Sequence, residues 1–401
     1  IVEVGGTVGD IEGMPYLEAL RQFASEQDAA DVLFVHVTLV PYSKNGEQKT
    51  KPTQHSVKEL RSIGLQPDII IGRSRDRLTA DTKQKIARFC DVAPAAVFSN
   101  PDVADIYHVP LLVEREGLDA YVMRRLGIDA EARAPAERPQ RWRELVTRER
   151  TREATVALVG KYDLEDAYMS VYEALKHAGI ATQTEVTVTW VDADAMDDAH
   201  AERLAAADGV VVPGGFGLRG TTGKIDAIRH CRETETPFLG LCLGFQMAVV
   251  EHAQNVLGLA EAHSAEFFAD TPHPVIDILP EQYAVEDMGG TMRLGAHTTG
   301  IDADSLAAAV YDDTACTERH RHRYEVNPAY IDELQTAGLR FSGRSDSRME
   351  IVERTDHPYF IGTQFHPEFR SRPDRASPPF VGLLAAIHGE MDARTLVGVE
   401  H

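Results

Sequence analysis

Short apolar runs rich in β-branched residues alternate along this chain with stretches whose apolar positions recur at helical spacing. DVLFVHVTLV (31–40) and DIIIG (68–72) are bounded by turn residues and read as buried parallel strands. SVKELRSIG, between them, reads as a helix that Gly64 can close. The pattern resumes further on: ATVALVGKY reads as a fresh central strand and EDAYMSVYEALKHAG as an amphipathic helix closed at Gly179. TEVTVTWV, DGVVVPGG and TPFLGLCLG read as further strands. Alternation of this kind predicts an α/β fold.

From Asp129 to about Arg152 the pattern breaks. IDAEARAPAERPQRWRELVTRERTREA is charged, carries two prolines and has no strand signal, so it reads as a linker with one short helix around Trp142. The chain divides into residues 1–128, a linker 129–153, and residues 154–401. A length of 401 residues suits two domains, each with its own core.

Composition narrows the class. Hydrophobic residues at 43% and charged residues at 26% exclude wholesale disorder. No window offers eighteen uncharged apolar residues, so no membrane-spanning helix is expected. The opening IVEVGGTVGD has no initiator Met, basic n-region or signal h-region, and reads as truncated at its start. Cys90, Cys231, Cys242 and Cys316 lack the spacing of a disulfide framework or a zinc knuckle, which points to a reducing cytoplasm.

The net charge of −22 repels nucleic acid and anionic membranes. Only nine of the 41 basic residues are lysines, a balance expected of a protein kept soluble at high salt. Six of the nine fall between Lys44 and Lys85, and that clustering marks an anion site.

The sharpest chemical motif is Gly240-Leu241-Cys242-Leu243-Gly244, entered by an apolar strand and left by a helix. That is a nucleophile elbow, with glycines where the turn is tight and backbone packs closely. The helix start behind Cys242 favours a thiolate. Pro213-Gly214-Gly215-Phe216-Gly217 follows the strand DGVVV and offers N–H groups to an oxyanion. Gln364-Phe365-His366-Pro367-Glu368-Phe369 follows YFIGT, so His366 can take the thiol proton while Glu368 orients the imidazole.

The ordered set PGGFG, GLCLGFQ and FHPEF resembles the class I glutamine amidotransferase domain, which releases ammonia from glutamine through a γ-glutamyl thioester. The resemblance implies Cys242 as nucleophile, His366 as base and Glu368 as its partner. Gly215 and Leu243 would supply the oxyanion N–H groups, and Gly244, Phe245 and Gln246 complete the glutamine-side motif. Glu266 and Arg323 match positions that hold glutamine's α-amino and α-carboxylate groups.

EVGGTVGDIEGMPYLEALRQF, KTKPTQHSVKEL (49–60) and ERHRHRYEVNP (318–328) resemble the CTP synthase family over the whole chain. That family implies a Rossmann-like synthetase domain, incomplete here, followed by a class I glutamine amidotransferase α/β domain. Its activity is amination of UTP to CTP, with ATP phosphorylating O4 of UTP and ammonia displacing that phosphate.

Lys49, Thr50, Lys51, Pro52, Thr53 and Gln54, on a proline-stiffened loop, together with Lys85, would bind UTP. Asp10, Ile11 and Glu12 match a stretch associated with pyrimidine nucleotide, including inhibitory CTP. Glu3 would meet Mg2+ accompanying ATP, since a hard cation wants carboxylate oxygen. Gly289-Gly290-Thr291-Met292-Arg293-Leu294-Gly295 resembles a lid tied to GTP activation. The family also implies a homotetramer. Its ATP-binding P-loop has no counterpart here: the nearest string, Gly217–Lys224 (GLRGTTGK), has one residue too many and reads as a false match, so the chain is expected to begin after the P-loop region. The competing readings are a free-standing glutamine amidohydrolase or γ-glutamyl hydrolase, and a non-catalytic assembly subunit.

Overall fold

The structure is a computed structural model that describes residues 1–129, 137–162, 165–278 and 292–391. The chain forms two compact units, residues 1–146 and 147–401.

In the first unit, strands β1 (Val35–Leu39), β2 (Ile69–Ser74) and β3 (Val97–Pro101) form a parallel sheet in that order. Helices Lys51–Ser62 and Ala80–Cys90 connect them. Val40, Val57, Ile70 and Ile86 pack together as its core. The ten-residue buried strand expected at 31–40 is shorter and only half buried. Strand β1 is an edge, with Val37 56% and Leu39 62% exposed, because its outer face has no cover among the described residues.

The expected loop at residues 49–54 is also corrected. Lys51, Pro52, Thr53 and Gln54 form the first turn of helix Lys51–Ser62, where proline's fixed φ and missing N–H cost nothing. The short helix expected near Trp142 spans Glu137–Thr147, and the Trp142 indole N–H donates to the Tyr107 carbonyl at 3.1 Å.

The second unit is built on a nine-stranded sheet. Its strands are β4 (Arg152–Gly160), β5 (Thr184–Asp192), β6 (Gly209–Val212), β7 (Phe238–Leu241), β10 (Arg293–Ile301), β11 (Ala315–His322), β13 (Leu339–Ser345), β14 (Arg348–Arg354) and β15 (Phe360–Thr363). A smaller sheet pairs β8 (Ala262–Ser264), β9 (His273–Asp277) and β12 (Glu325–Val326). The large sheet runs β11-β10-β13-β14-β15-β7-β6-β4-β5, parallel from β15 to β5 and antiparallel beyond.

Alternation along β6 shows why such runs are apolar throughout. Val210 and Val212 face one packed layer and Val211 the other, and all three are fully buried. Helix Met169–Thr182 covers one face. It does not stop at Gly179, as the sequence implied, but continues to a left-handed Gln183. Gly179 serves close approach instead: a Cβ there would lie 2.5 Å from the Thr184 carbonyl oxygen.

Candidate active site

Strands β15, β7 and β6 are neighbours and parallel, with Thr363 opposite Leu241 and Val212 opposite Gly240. Their carboxyl ends therefore deliver His366, Cys242 and the Pro213–Gly217 segment to one edge of the sheet. Ligands bind at such edges of open α/β sheets.

Cys242 sits at φ +51° and ψ −97°, a strained conformation for a residue with a Cβ. Its N–H donates to the Thr363 carbonyl at 2.7 Å, and helix Leu243–Asn255 begins directly behind it. The flanking glycines are required by contact. A Cβ on Gly244 would lie 2.1 Å from the Val212 carbonyl oxygen, and one on Gly240 would lie 2.9 Å from the Gly244 backbone. Gly214 is confined between the catalytic candidates: a Cβ there would meet His366 Cε1 at 2.8 Å and Cys242 Cβ at 3.5 Å.

His366 Nδ1 lies 2.7 Å from Glu368 Oε1, and its ring stacks on Phe369. Burial disfavours a charged imidazole here, but the Glu368 carboxylate and the Cys242 sulfur outweigh it and hold the His366 pKa well above its ordinary value. The imidazole is thus held in its charged form beside the Cys242 sulfur.

A cavity of about 150 Å³ opens beside the thiol, lined by Gly215, Cys242, Leu243, Gln246, Glu266 and Arg323 among others. Burial raises the Glu266 carboxyl above its ordinary pKa, opposed by the Gly217 N–H and the charges of Arg323 and Lys161. A carboxylate and a guanidinium in one small cavity match the two charged ends of an amino acid. Gly244 and Phe245 do not line it. Gly244 faces Val212 and Phe245 is fully buried in the core.

Several residues of this site were not singled out by their sequence motifs. Gln364 Nε2 reaches to 3.8 Å from Cys242 Sγ, and its Oε1 accepts from Gln246 Nε2 at 3.1 Å. His322 lines the cavity and exchanges a 2.9 Å hydrogen bond with His320, two residues back on the same face of β11. Burial is the main force lowering these rings, to about 2 for His320 and about 3 for His322, so both are neutral. With Glu350 they have the spacing of a cation site, but Arg293 already supplies a positive charge to that carboxylate. Arg293, within the segment that resembles a GTP-linked lid, is turned inward onto Glu350 and Ser345 Oγ. Residues Gly289, Gly290 and Thr291 of the expected lid lie outside the described residues.

In the first unit, Glu3, Asp10, Ile11, Glu12, Lys49 and Lys51 are all exposed. Lys49 pairs with Glu47 at 2.6 Å and Lys85 with Asp81 at 2.7 Å. Thr50 Oγ1 accepts from Gln54 Nε2 at 3.0 Å, and Thr53 is buried. Lys51, on the exposed first turn of its helix, makes no ion pair among the described residues.

The nucleophile elbow, the glycine-rich segment beside it and the His–Glu pair define a class I glutamine amidotransferase. Residues 163–386 match the family described as glutamine amidotransferase class-I, and residues 1–128 match that described as CTP synthase N-terminus. The chain is 74% identical to the CTP synthase of Haloquadratum walsbyi, over 99% of this chain and 71% of that protein. It is 55% identical to the CTP synthase of Archaeoglobus fulgidus, over 96% of this chain and 72% of the relative. The solved glutaminase domain of Trypanosoma brucei CTP synthase, with bound acivicin, superposes with a TM-score of 0.56 at 37% identity, covering 59% of this chain and 94% of that one. The chain belongs to the CTP synthase family, glutamine-hydrolysing ligases that carry an amidotransferase domain. Among the described residues no helix is long and apolar enough to cross a membrane.

Proposed function

We propose that glutamine is hydrolysed at Cys242, with His366 and Glu368 completing the triad, and that the released ammonia aminates UTP held by the first unit. Cys242 Sγ attacks the γ-carboxamide carbon. His366 holds the thiol proton and passes it to the departing nitrogen, which leaves as ammonia. Glu368 keeps the imidazole oriented and stabilises its charged form. The N–H groups of Gly215 and Leu243 receive the developing oxyanion. Water, deprotonated by His366, then cleaves the γ-glutamyl thioester and releases glutamate. Arg323 takes the substrate's α-carboxylate and Glu266 its α-ammonium. Convergence of His366, Cys242 and the Pro213–Gly217 segment on three adjacent strand ends carries this reading.

In the first unit, the exposed ammonium of Lys51 serves the triphosphate of UTP, with Lys49, Gln54 and Lys85 near it in sequence or fold. Asp10, Ile11 and Glu12 supply the pyrimidine side, where CTP also binds as inhibitor. The exposed carboxylate of Glu3 suits Mg2+, which commonly takes one or two carboxylates and completes its shell with phosphate oxygens and water. Bound there with ATP, the ion supplies charge neutralisation to the phosphates. GTP as activator, a homotetramer and a cytoplasmic location complete the reading.

An electrophilic glutamine analogue tests the assignment by peptide mapping. One adduct on Cys242, blocked by excess glutamine, is the expected result. Labelling of Cys90, Cys231 or Cys316 in its place contradicts it.

A further inference from the structure

The string Gly217–Lys224 looks like a phosphate loop and is not one, yet its lysine is among the most deeply buried charged groups in the second unit. Lys224 has no exposed surface, and its ammonium donates to the Pro213 carbonyl at 2.8 Å. Helix Thr221–Thr234 brings it there by unusually close packing. A Cβ on Gly223 would lie 2.2 Å from the Ala193 carbonyl oxygen, so only glycine lets the helix sit deep enough.

A second lysine mirrors the first. Lys161, the residue after β4, is buried and donates its ammonium to the Phe216 carbonyl. The two cations thus grip the peptide before Gly214 and the peptide after Phe216. Between those grips lie Gly214 and Gly215, the residues with the greatest backbone freedom. A Cβ placed on Gly215 would sit 3.7 Å from both Lys224 Nζ and Lys161 Cε. The second grip extends to the substrate side, because Phe216 C=O and Gly217 N–H belong to one planar peptide and that N–H bonds the Glu266 carboxylate.

We propose that Lys224, together with Lys161, is a positioning residue for glutamine hydrolysis, clamping the Pro213–Gly217 segment so that the Gly215 N–H is held ready for the oxyanion. The proposal rests on the Cys242 reading above and deepens it. Keeping an ammonium fully buried is unfavourable. Burial and the neighbouring Lys161 charge push the Lys224 pKa down to about 7, while the Cys242 sulfur opposes the shift. A hydrocarbon side chain of the same length would fill that space without such a penalty, so a purely structural role does not call for lysine. The ammonium's work is directional. It fixes the Pro213 carbonyl, and in its charged form it places positive charge behind the segment that faces the developing oxyanion. Preorganised dipoles and charges of this kind stabilise transition states without reorganisation.

The test uses the full-length enzyme with Lys224→Met, Lys224→Arg and Lys161→Met. Lys224→Met is expected to lower kcat for glutamine hydrolysis about 10- to 100-fold, the range for a slightly misplaced catalytic group, with KM changed less than about threefold. Cys242 should still react with the electrophilic glutamine analogue, and ammonia-dependent CTP formation should persist. Lys224→Arg should recover part of kcat, because it restores a cationic donor. Wild-type kcat in Lys224→Met overturns the proposal. So does equal loss of glutamine hydrolysis and ammonia-dependent synthesis, which marks a scaffold residue. If Lys224→Met does not fold, Lys161→Met decides: the same kcat loss at near-constant KM is required. Should Cys242 of the wild-type enzyme fail to take the label, the amidotransferase reading itself falls, a result distinct from any produced by the lysine variants.

Discussion

His366 and Glu368 stand two residues apart on one short segment after β15, with Nδ1 and Oε1 separated by 2.7 Å. A proline between them and a 3-10 turn from Pro367 to Arg370 hold both side chains toward the same edge. The segment is also tied to β11, where the His366 N–H donates to the Arg319 carbonyl at 2.8 Å. Glu368 is 6% exposed, and its charge keeps the imidazole protonated against the cost of burial.

Glu368→Gln removes that charge. The folded-state pKa of His366 lies above its ordinary value of about 6.5, so the pairing contributes stability that is complete below that pH and fades as pH rises through the raised pKa. The variant should lose about 1–3 kcal/mol near pH 6 and progressively less in alkaline buffer. Glutamine-dependent kcat should fall by about 100-fold or more. Thermal melts from pH 6 to 9 check the first expectation; a loss constant across that range contradicts it.

Gly244→Ala should destabilise the second unit, because its methyl would lie 2.1 Å from the Val212 carbonyl oxygen in fully packed surroundings. Overpacking of this order costs about 1–3 kcal/mol, or a Tm drop of roughly 2–12 °C at this domain size. Calorimetry decides it, and an unchanged Tm would mean that the elbow is looser than described.

Much of this site was legible because each motif follows a strand whose composition announces it. VVV before Pro213, FLGL before Cys242 and FIGT before Gln364 are short, apolar and β-branched or aromatic, and all three are strands. Other features were hidden. Gly179 looked like a helix stop because glycine commonly ends helices, whereas it is small to admit Thr184. Lys224 looked like a failed phosphate loop because nothing local reveals that its helix sinks against Ala193. Arg293 carries no sign in its own sequence that Glu350, across the sheet, will claim it. Contacts between distant segments are what local pattern cannot encode.

Lys51→Ala should weaken UTP binding to the full-length enzyme at fixed salt and leave glutamine hydrolysis intact, because a phosphate loses a compact charge partner. Losing one exposed ammonium should cost several-fold in affinity, up to about tenfold, and screening reduces the loss as salt rises. Calorimetry at two KCl concentrations measures it. Unchanged affinity at the lower salt returns Lys51 to an ordinary solvated helix start.

Net charge predicts a salt response. At −22 the chain repels itself strongly in dilute buffer, where the Debye length is about 30 Å at 0.01 M salt, and little at about 1 M, where it is roughly 3 Å. Tm should rise with KCl from physiological to molar concentration. A flat profile over that interval contradicts adaptation to high salt.

Separation of the two half-reactions tests the central claim most directly. In the full-length enzyme, Cys242→Ser should abolish glutamine-dependent CTP formation while ammonia-dependent formation stays near the wild-type rate, because Cys242 serves glutamine alone. Equal loss of both activities, or retained glutamine-dependent turnover, would contradict the account.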